Sequence, residues 1–246
     1  MQVLEQILSN VKIGEKMLAV LLDPEKTNHP ETAARQIVEG GVDLVFVGGS
    51  GYNQPLDEYL KHLRMLLTKD GKQTCPIVLF PGDICQFSAE ADALLFLSLL
   101  SGRDVEMLIG RHIRSAVAIR ESGIETIPMG YILVDGGRQS SVERVTKTKP
   151  LVDKQEIVST ALAGEMLGKQ LIYLEAGSGA KNPVGKDIIQ SVRQKLTIPL
   201  IVGGGICTVD QMNEAFLAGA DIVVIGNYFE HHPEEISIFA SAKVQK

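Results

Sequence analysis

The chain has 246 residues, of which 45% are hydrophobic and 22% charged, and its formal net charge at pH 7 is −6. This composition is typical of a globular protein with a substantial core and argues against a disordered chain. The negative balance argues against nucleic acid as a partner, because binding a phosphate backbone depends on clustered positive charge. The length fits one large α/β domain, and we expect a single domain over residues 1–246.

The N-terminal stretch "MQVLEQILSNVKIGEKM" contains acidic residues and lacks the continuous apolar segment of a secretory signal. The three cysteines, Cys75, Cys85 and Cys207, lack the close spacing of a zinc site or a disulfide framework. The longest mainly apolar stretch, "ALLFLSLLSG", is about half of the roughly 20 residues that span a bilayer. We therefore expect a cytoplasmic protein whose contact with a membrane is transient and confined to the membrane surface.

Short apolar runs alternate with helix-like segments along the chain, as in a parallel sheet. In chain order the runs are "MLAVLLD" from Met17, "DLVFVGG" from Asp43, "PIVLFPG" from Pro76, "ADALLFLS" from Ala91, "TIPMGYILVDG" from Thr126, "QLIYLEAG" from Gln170, "PLIVGGG" from Pro199 and "DIVVIGN" from Asp221. Most are continuous rather than alternating, which is typical of strands buried on both faces. Eight such runs predict an α/β fold, a (β/α)8 TIM barrel, with an open doubly wound sheet as the alternative.

The segments between the strands carry helix boundary signals. "HPETAARQIVEGG" has Pro30 near the first helical turn and ends on glycines, and "TVDQMNEAFLAGA" starts with Thr208 as an N-cap. The stretches "GGVDLVFVGG" and "AGADIVVIGN" repeat one pattern, in which glycine closes a helix and Asp opens a strand. The repetition supports a chain built from βα units.

One connection, residues 135–154, is unusually long and reads "DGGRQSSVERVTKTKPLVDK". Loop-length statistics favour a functional flap over a plain connector. Its basic side chains are Arg138, Arg144, Lys147, Lys149 and Lys154. They are either solvated or placed to close over a diphosphate.

Glycines follow the last two predicted strands. Gly203, Gly204 and Gly205 come after the seventh strand, and Gly226 and Asn227 come after the eighth. In a TIM barrel the active site lies at the C-terminal ends of the strands, and these two loops commonly bind phosphate through backbone N–H groups. Glycine for tight turns alone is the competing explanation, which the occurrence at both expected strands disfavours.

Polar residues also follow the first two strands. Asp23 leaves strand one in "LLDPEK", where a carboxylate can bind Mg²⁺ together with substrate oxygens or can cap the following turn. Ser50 follows strand two in "VGGS" and can supply a hydroxyl ligand, although serine after two glycines is also ordinary turn chemistry. Both residues are predicted to face one opening.

The sixth strand ends in "YLEAGSGA". Tyr173 and Glu175 are two residues apart and therefore point the same way. Burial raises the pKa of a glutamate, so Glu175 can act as a general base near neutral pH. An ion pair between Glu175 and Lys26 or Lys186 is the structural alternative.

The histidines are weaker candidates. His112 falls on a predicted helix and is interpreted as a packing or surface residue. His231 and His232 are adjacent, do not share a helical face, and are interpreted as a polar terminus.

The motifs "LLDPEK", "VGGS", "YLEAGSGA", "VGGGI" and "IGN", in this order, closely resemble the geranylgeranylglyceryl phosphate synthase family, including its bacterial heptaprenyl relatives. The resemblance runs from about Met17 to Tyr228. "YLEAGSG" is highly specific, whereas "GGGI" occurs in many phosphate-binding barrels. The resemblance implies a prenyltransferase that joins the 3-hydroxyl of sn-glycerol 1-phosphate to a polyprenyl diphosphate, with geranylgeranyl diphosphate expected. The products are an ether lipid precursor and diphosphate.

The resemblance also implies Mg²⁺ held by Asp23 and Ser50, and catalytic roles for Glu175, Tyr173 and Lys26. The substrate-binding residues that it implies are Tyr173, Leu174, Glu175, Ala176, Gly177, Ser178, Gly179, Gly203, Gly204, Gly205, Gly226 and Asn227. After strand four this chain reads "SLLSGRD" where many members carry an Asn-Ser pair, and here it is more similar to the second large branch of the family. Prenyl chain length and the size of the expected homo-oligomer therefore stay open.

Two other functions are compatible with a glycine-lined phosphate site. A sugar-phosphate isomerase or aldolase would keep the glycines but need other strand-end acids or a Schiff-base lysine within a strand. A non-catalytic phosphometabolite-binding protein would keep the phosphate cradle without needing Asp23. A turnover assay separates the second of these from an enzyme.

Overall fold

The computed structural model describes residues 2–27, 29–49, 55–82 and 86–244, and its centre is a closed barrel of eight parallel strands. Numbered along the barrel, the strands are β1 (Met17–Leu22), β2 (Leu44–Val47), β3 (Ile77–Leu79), β4 (Ala93–Leu99), β5 (Glu125–Leu133), β6 (Leu171–Glu175), β7 (Leu200–Gly203) and β8 (Ile222–Ile225). Each strand pairs with the next in the chain, and β8 closes the barrel on β1. The predicted TIM barrel is confirmed, and the open sheet is wrong.

Helices surround the barrel. They are α1 (Val3–Ile13), α2 (Glu31–Gly40), α3 (Asp57–Leu66), α4 (Arg111–Ser122), α5 (Ser141–Thr146), α6 (Lys154–Met166), α7 (Lys186–Arg193), α8 (Val209–Ala218), α9 (Asn227–His231) and α10 (Ile236–Ser241). A π-helical turn, Glu106–Gly110, leads into α4, and a 3-10 turn, Pro233–Glu235, leads into α10. A two-stranded antiparallel ribbon of Thr68–Lys69 and Lys72–Gln73 was not predicted. Across the stretches of chain described here, no helix has both the length and the apolarity to cross a membrane.

The predicted helix boundaries are confirmed at both segments. Pro30 precedes the first residue of α2, and Gly41 ends this helix with φ of 68°. At α8, the Thr208 hydroxyl accepts a hydrogen bond from the Gln211 N–H, and Gly219 follows the helix with φ of 120°. Side-chain capping satisfies a helix N–H that has no partner within the helix, and glycine adopts positive φ without steric cost.

The core has two layers that follow from strand geometry, because successive side chains of a strand point to opposite faces. Met17 and Ala19 of β1 belong to the cluster inside the barrel, whereas Leu18 and Val20 pack in the layer between strands and helices. All four are at most 1% exposed. Burial on both faces explains why the strands read as continuous apolar runs.

Aspartates that precede strands hold the N-terminal end of the barrel together. The Asp43 carboxylate accepts a hydrogen bond from the N–H of Leu18, the second residue of β1, at 2.7 Å. The Asp221 carboxylate accepts one from the N–H of Leu200, the first residue of β7, at 2.9 Å. Asp221 also lies 2.9 Å from a guanidinium nitrogen of Arg193. These acids are part of the repeated sequence pattern, and they lie at the end of the barrel away from the active site.

Removing Asp221 should therefore lower stability without changing chemistry. Asp221→Ala leaves the Arg193 guanidinium and the Leu200 N–H without their shared partner, and the expected loss is about 2 kcal/mol in the free energy of unfolding. The matched control is Asp210→Ala on the exposed first turn of α8, with an expected loss below about 1 kcal/mol. Urea unfolding of both variants measures the difference. Equal stability of the two variants would contradict this role for Asp221.

The long connection after β5 lies over the cavity described below. It contains helix α5, which the sequence analysis did not predict, and a parallel bridge between Val134 and Leu151. Ser140 caps α5: its hydroxyl accepts from the Glu143 N–H (3.2 Å), and the Glu143 carboxylate accepts from the Ser140 N–H (2.6 Å). The sequence "SSVE" contained this capping-box signal.

Candidate active site

A cavity of about 740 Å³ opens at the C-terminal ends of the strands. Its polar side is lined by residues that follow β1, β6 and β8, among them Asp23, Lys26, Glu175, Ser178 and Asn227. Its apolar side is lined mainly by β4 and its surroundings, namely Phe87, Leu94, Leu95, Phe96, Leu97, Leu99, Met107 and Val142. The cavity can therefore hold a charged group and a long apolar group side by side.

Glu175 is a buried acid that lines this cavity. Its side chain ends β6 with only 8% of the residue exposed, and its Oε1 accepts a hydrogen bond from the Gly177 N–H at 2.7 Å. Burial raises the pKa of Glu175, while hydrogen bonds from the Tyr173 hydroxyl and the Gly177 N–H oppose part of that shift. The raised pKa and the shared orientation of Tyr173 and Glu175 agree with the properties that the sequence predicted.

The alternative ion pairs of Glu175 are not formed among the residues that the structure describes. The Lys26 ammonium lies 3.6 Å from Asp23 and 3.1 Å from Glu230. Lys186 lies 3.2 Å from Glu214. The carboxylate of Glu175 thus faces the cavity without a cationic partner in this part of the chain.

Two glycines of β7 and its loop make room for the side chains of β6. A Cβ at Gly203 would lie 2.3 Å from the Tyr173 hydroxyl, and a Cβ at Gly204 would lie 2.4 Å from Oε1 of Glu175 and 2.7 Å from the Gly177 N. Gly204 also has φ of 83°. These distances are far shorter than van der Waals contact. Gly203 and Gly204 of the "GGG" motif are therefore needed to make room for the tyrosine and the glutamate, besides any approach to an anion.

Asp23 is placed by a third glycine. Only 8% of the residue is exposed, and a Cβ at Gly49 would lie 2.5 to 2.6 Å from both carboxylate oxygens. One oxygen accepts a hydrogen bond from the Glu25 N–H at 3.1 Å, as a turn cap would. Asp23 therefore caps the turn and lines the cavity at once. Ser50, its predicted partner, lies outside the residues that the structure describes.

The Asp23 carboxylate has the chemistry that Mg²⁺ requires. A hard cation of this kind is commonly bound by one or two carboxylates completed by substrate oxygens and water. The missing Cβ of Gly49 leaves the carboxylate room on its strand-two side. Within the described ranges, the one grouping of three potential ligands is His232, Glu234 and Glu235, which does not include Asp23.

Residues after β1, β6 and β8 meet at Asn227. The Asn227 Oδ1 lies 3.1 Å from the Ser178 Oγ and 3.5 Å from the Lys26 Nζ. A Cβ at Gly179 would lie 3.7 Å from the Asn227 Nδ2. The structure thus brings the sixth-strand and eighth-strand parts of the predicted phosphate site together.

Gly226, which is predicted to bind substrate phosphate, also has a packing role. A Cβ there would lie 3.2 Å from the Cβ of Leu21 on β1, so the missing side chain also permits close packing of β8 on β1. A bulky replacement at Gly226 would disturb this contact.

Several residues of the cavity wall were not predicted. Glu230 holds Lys26 from α9, one helical turn after Asn227, and the spacing of three residues in "NYFE" is the signal that could have found it. Phe80 and Tyr131 line the cavity next to Tyr173. Nothing in their local sequence separates these two rings from ordinary core residues.

The histidines lie largely as expected. His112 is 8% exposed and packs edge-on against Phe96, with ring centroids 4.4 Å apart. Burial lowers the pKa of His112, and the Lys169 charge lowers it further. His231 and His232 lie at the end of α9 and line the rim of the cavity.

Comparison with known proteins gives one consistent result. Residues 11–244 match the model of the PcrB family. The chain is 47% identical over 234 residues to a geranylgeranylglyceryl phosphate synthase of Zunongwangia profunda, which covers 94% of this chain and 97% of the relative. It is 39% identical over 224 residues to a protein of the same name from Korarchaeum cryptofilum, with 89% of each chain covered.

Solved structures show the same similarity in three dimensions. (S)-3-O-geranylgeranylglyceryl phosphate synthase from Thermoplasma acidophilum, in complex with its substrate sn-glycerol-1-phosphate, superposes with a TM-score of 0.88 at 33% sequence identity and covers 98% of both chains. Thiamine phosphate pyrophosphorylase from Pyrococcus furiosus, at 15% identity and a TM-score of 0.58, shares the fold alone.

Proposed function

The chain belongs to the PcrB family, and from this we propose that it is a prenyltransferase that joins sn-glycerol 1-phosphate to a polyprenyl diphosphate. The observation that supports the proposal most directly is the composition of the cavity. Glu175 with its raised pKa, the polar residues Ser178 and Asn227, and the apolar residues of β4 all line it. The reaction forms an ether bond at the 3-hydroxyl of the glycerol phosphate and releases diphosphate.

Glu175 is the general base in this proposal. The glycerol hydroxyl must lose a proton as its oxygen attacks, and a carboxylate with a pKa raised toward neutrality accepts a proton better than an exposed glutamate does. The Tyr173 hydroxyl and the Gly177 N–H fix the carboxylate by hydrogen bonds. A base held in one orientation lowers the entropy cost of the proton transfer.

Asp23 and Ser50 would hold Mg²⁺, which when bound neutralises the charge of the leaving diphosphate. Lys26 adds a positive charge to the same side of the cavity, where Asp23 and Glu230 keep its ammonium group in place. The Lys26 ammonium lies near both Asp23, at 3.6 Å, and the Oδ1 of Asn227, at 3.5 Å, and so lies between the two proposed anion sites. Its proposed catalytic role is to bind diphosphate oxygens.

The phosphate of the glycerol substrate is proposed to lie at the ends of β6, β7 and β8. Support comes from the meeting of Ser178 and Asn227, and from Gly179 and Gly204, which have positive φ and carry no side chain to shield their N–H groups. The diphosphate then occupies the side of β1 and β2.

This division of the anion sites predicts a selective effect of Ser178→Ala. The Ser178 hydroxyl lies 3.1 Å from the Asn227 Oδ1 in the proposed phosphate site. Its loss should raise the KM for glycerol 1-phosphate by roughly 10-fold, which is the usual effect of losing one hydrogen bond to a charged group. The KM for the prenyl diphosphate should barely change. Steady-state titration of each substrate measures both constants.

The matched control is Ser191→Ala on α7, whose hydroxyl donates a hydrogen bond to the Asp187 carbonyl of its own helix. Its two Michaelis constants should equal those of the parent. Selective weakening of the prenyl diphosphate by Ser178→Ala would reverse the assignment of the two anion sites.

The apolar side of the cavity is proposed to hold the prenyl chain. The wall formed by Leu95, Leu97 and Leu99 of β4 continues to Met107 before α4 and to Val142 of α5. Geranylgeranyl diphosphate is the proposed donor, because the relatives with 39% to 47% identity bear that name. Burial of the chain provides binding free energy in proportion to the apolar area removed from water.

The rival enzymes are not supported. None of the eight barrel strands contains a lysine, so a Schiff-base aldolase has no candidate residue there. A phosphometabolite-binding protein would not need the apolar wall. The deciding experiment incubates the purified protein with Mg²⁺, sn-glycerol 1-phosphate and prenyl diphosphates of several lengths, and identifies the products by mass. Absence of an ether product with every donor would overturn the proposal.

A further inference from the structure

Aromatic rings are concentrated at the centre of the cavity. The chain has seven Phe, five Tyr and no Trp, yet Phe80, Tyr131 and Tyr173 all touch one another. Ring centroids are 5.9 Å apart for Phe80 and Tyr131, 5.6 Å for Phe80 and Tyr173, and 5.2 Å for Tyr131 and Tyr173. All three rings line the cavity. We refer to them as the aromatic triad.

The triad spans the distance between the two polar parts of the site. Phe80 lies on the side of Asp23, since its backbone oxygen abuts the position of a Cβ at Gly48, next to the Gly49 that seats Asp23. Tyr173 lies on the side of Glu175, to which its hydroxyl is hydrogen-bonded. Tyr131 of β5 pairs in register with Tyr173 and contacts both other rings.

The reaction creates positive charge between these two parts. The bond from C1 of the prenyl chain to the diphosphate oxygen breaks, and its electron pair leaves with the diphosphate. The glycerol oxygen forms a bond to C1 and loses its proton to Glu175. While the first bond is broken and the second is incomplete, the allylic carbons carry the charge.

We propose that the aromatic triad stabilises the allylic cation as the C1–oxygen bond breaks, an inference that rests on the prenyl transfer proposed above. A cation within about 6 Å of a ring centroid is attracted by the negative face of the ring, and the attraction is largest where water is excluded. Tyr131 and Tyr173 are 4% and 1% exposed, so water is largely absent around them. The leucine side chains of β4 cannot provide this attraction.

The phenols contribute as neutral rings. Burial, together with the Glu175 charge, holds the pKa values of Tyr131 and Tyr173 well above their ordinary range. A neutral phenol neither donates its proton to the leaving group at physiological pH nor traps the cation as an aryl ether by acting as a phenolate nucleophile.

The test replaces Phe80 by mono-, di- and trifluorophenylalanine, which weaken the negative ring face stepwise while nearly preserving its shape. The single-turnover rate constant of prenyl transfer at saturating substrates should fall with each fluorine, by about 2- to 30-fold in the trifluoro variant. Affinities for both substrates should stay unchanged. A rate constant that is the same in all three variants would overturn the proposal.

Phe46 is the matched control. It stacks on Phe80 with an interplanar angle of 4° and centroids 6.1 Å apart, but it is not among the residues that line the cavity. The same fluorinated series at Phe46 should leave the rate constant unchanged. An equal decline at both positions would show an effect on packing and would reject the triad.

A second pair of variants covers the case in which fluorinated Phe80 proteins fold poorly. Tyr131→Phe and trifluorophenylalanine at position 131 share the loss of the hydroxyl and differ only in the ring. The fluorinated member should be slower, and equal rates would reject a cation-stabilising role. The parent protein is assayed first. An inactive parent refutes the proposed prenyl transfer itself. An active parent whose rate constant does not change with fluorination refutes only the cation-stabilising role of the aromatic triad.

Discussion

Asp23→Asn is expected to remove most of the prenyl transfer while leaving the fold and the binding of glycerol 1-phosphate intact. Asparagine has the shape of aspartate and still fits against Gly49, where a Cβ would already overlap the carboxylate. It lacks the charge that a hard cation needs, so the leaving diphosphate is no longer neutralised. Loss of one preorganised electrostatic contact of this kind lowers kcat by about 10²- to 10³-fold.

The measurement combines turnover with calorimetric binding of each substrate. Asp187→Asn on the surface of α7 makes the same chemical change at a side chain that pairs with Lys154 at 3.4 Å, and it should retain parental turnover. Excess chelator should reduce the parent to the level of the Asp23 variant. Full turnover of Asp23→Asn, or of the parent in chelator, would refute the metal role of Asp23.

Glu175→Gln is expected to slow the chemical step by roughly 10²-fold or more, because the amide keeps the shape of the side chain but cannot accept the hydroxyl proton. The Gly177 N–H can still donate to the amide oxygen, so the loop geometry is preserved. Single-turnover kinetics at saturating substrates isolates this step. The matched control is Glu121→Gln on the exposed side of α4, which should leave the rate unchanged.

A second property of Glu175 distinguishes a base from a binding residue. Because burial raises its pKa, the rate of the parent should rise with pH through a midpoint above the ordinary glutamate value of about 4.3. That limb of the pH profile should be absent from the residual activity of Glu175→Gln. An unchanged rate at saturation with weakened glycerol phosphate affinity would make Glu175 a binding residue instead.

The stability of the same variant follows from the direction of the shift. A carboxyl whose pKa is raised by folding holds its proton more tightly in the native state. Stability therefore falls as the pH rises from the unfolded pKa to the folded pKa and stays lower above it. At neutral pH the neutral amide removes this cost, and Glu175→Gln should unfold at a temperature no lower than that of the parent. A loss of activity with retained stability is the signature of a residue placed for function.

The repeated βα pattern was readable because burial on both faces of a parallel strand leaves a continuous apolar run in the sequence. The runs at Met17 and Asp221 begin and end within one or two residues of β1 and β8. Helix ends were equally local, since Thr208 and Gly41 act through the backbone next to them. The length and charge of residues 135–154 do not predict helix α5, whereas the capping box of Ser140 and Glu143 is a local signal for it.

The orientation of Tyr173 and Glu175 also followed from the sequence alone, because residues two apart on a strand share a face. The role of the neighbouring glycines in making room for these two side chains did not follow from the sequence. Gly203 and Gly204 are about thirty residues away in the chain, and only the pairing of β6 with β7 shows that their missing side chains make room for the tyrosine and the glutamate.

The amino-acid sequence thus determined the barrel and the acids at its strand ends, because both depend on periodicity and local order. The tertiary structure decided which distant groups meet there. Lys26 contacts Glu230 from 204 positions away, and Phe80, Tyr131 and Tyr173 touch although they belong to three separate βα units. Closure of the barrel by β8 on β1 brings Lys26 to Glu230, and the pairing of β5 with β6 brings Tyr131 to Tyr173, so these contacts depend on the sheet and not on neighbouring residues in the chain.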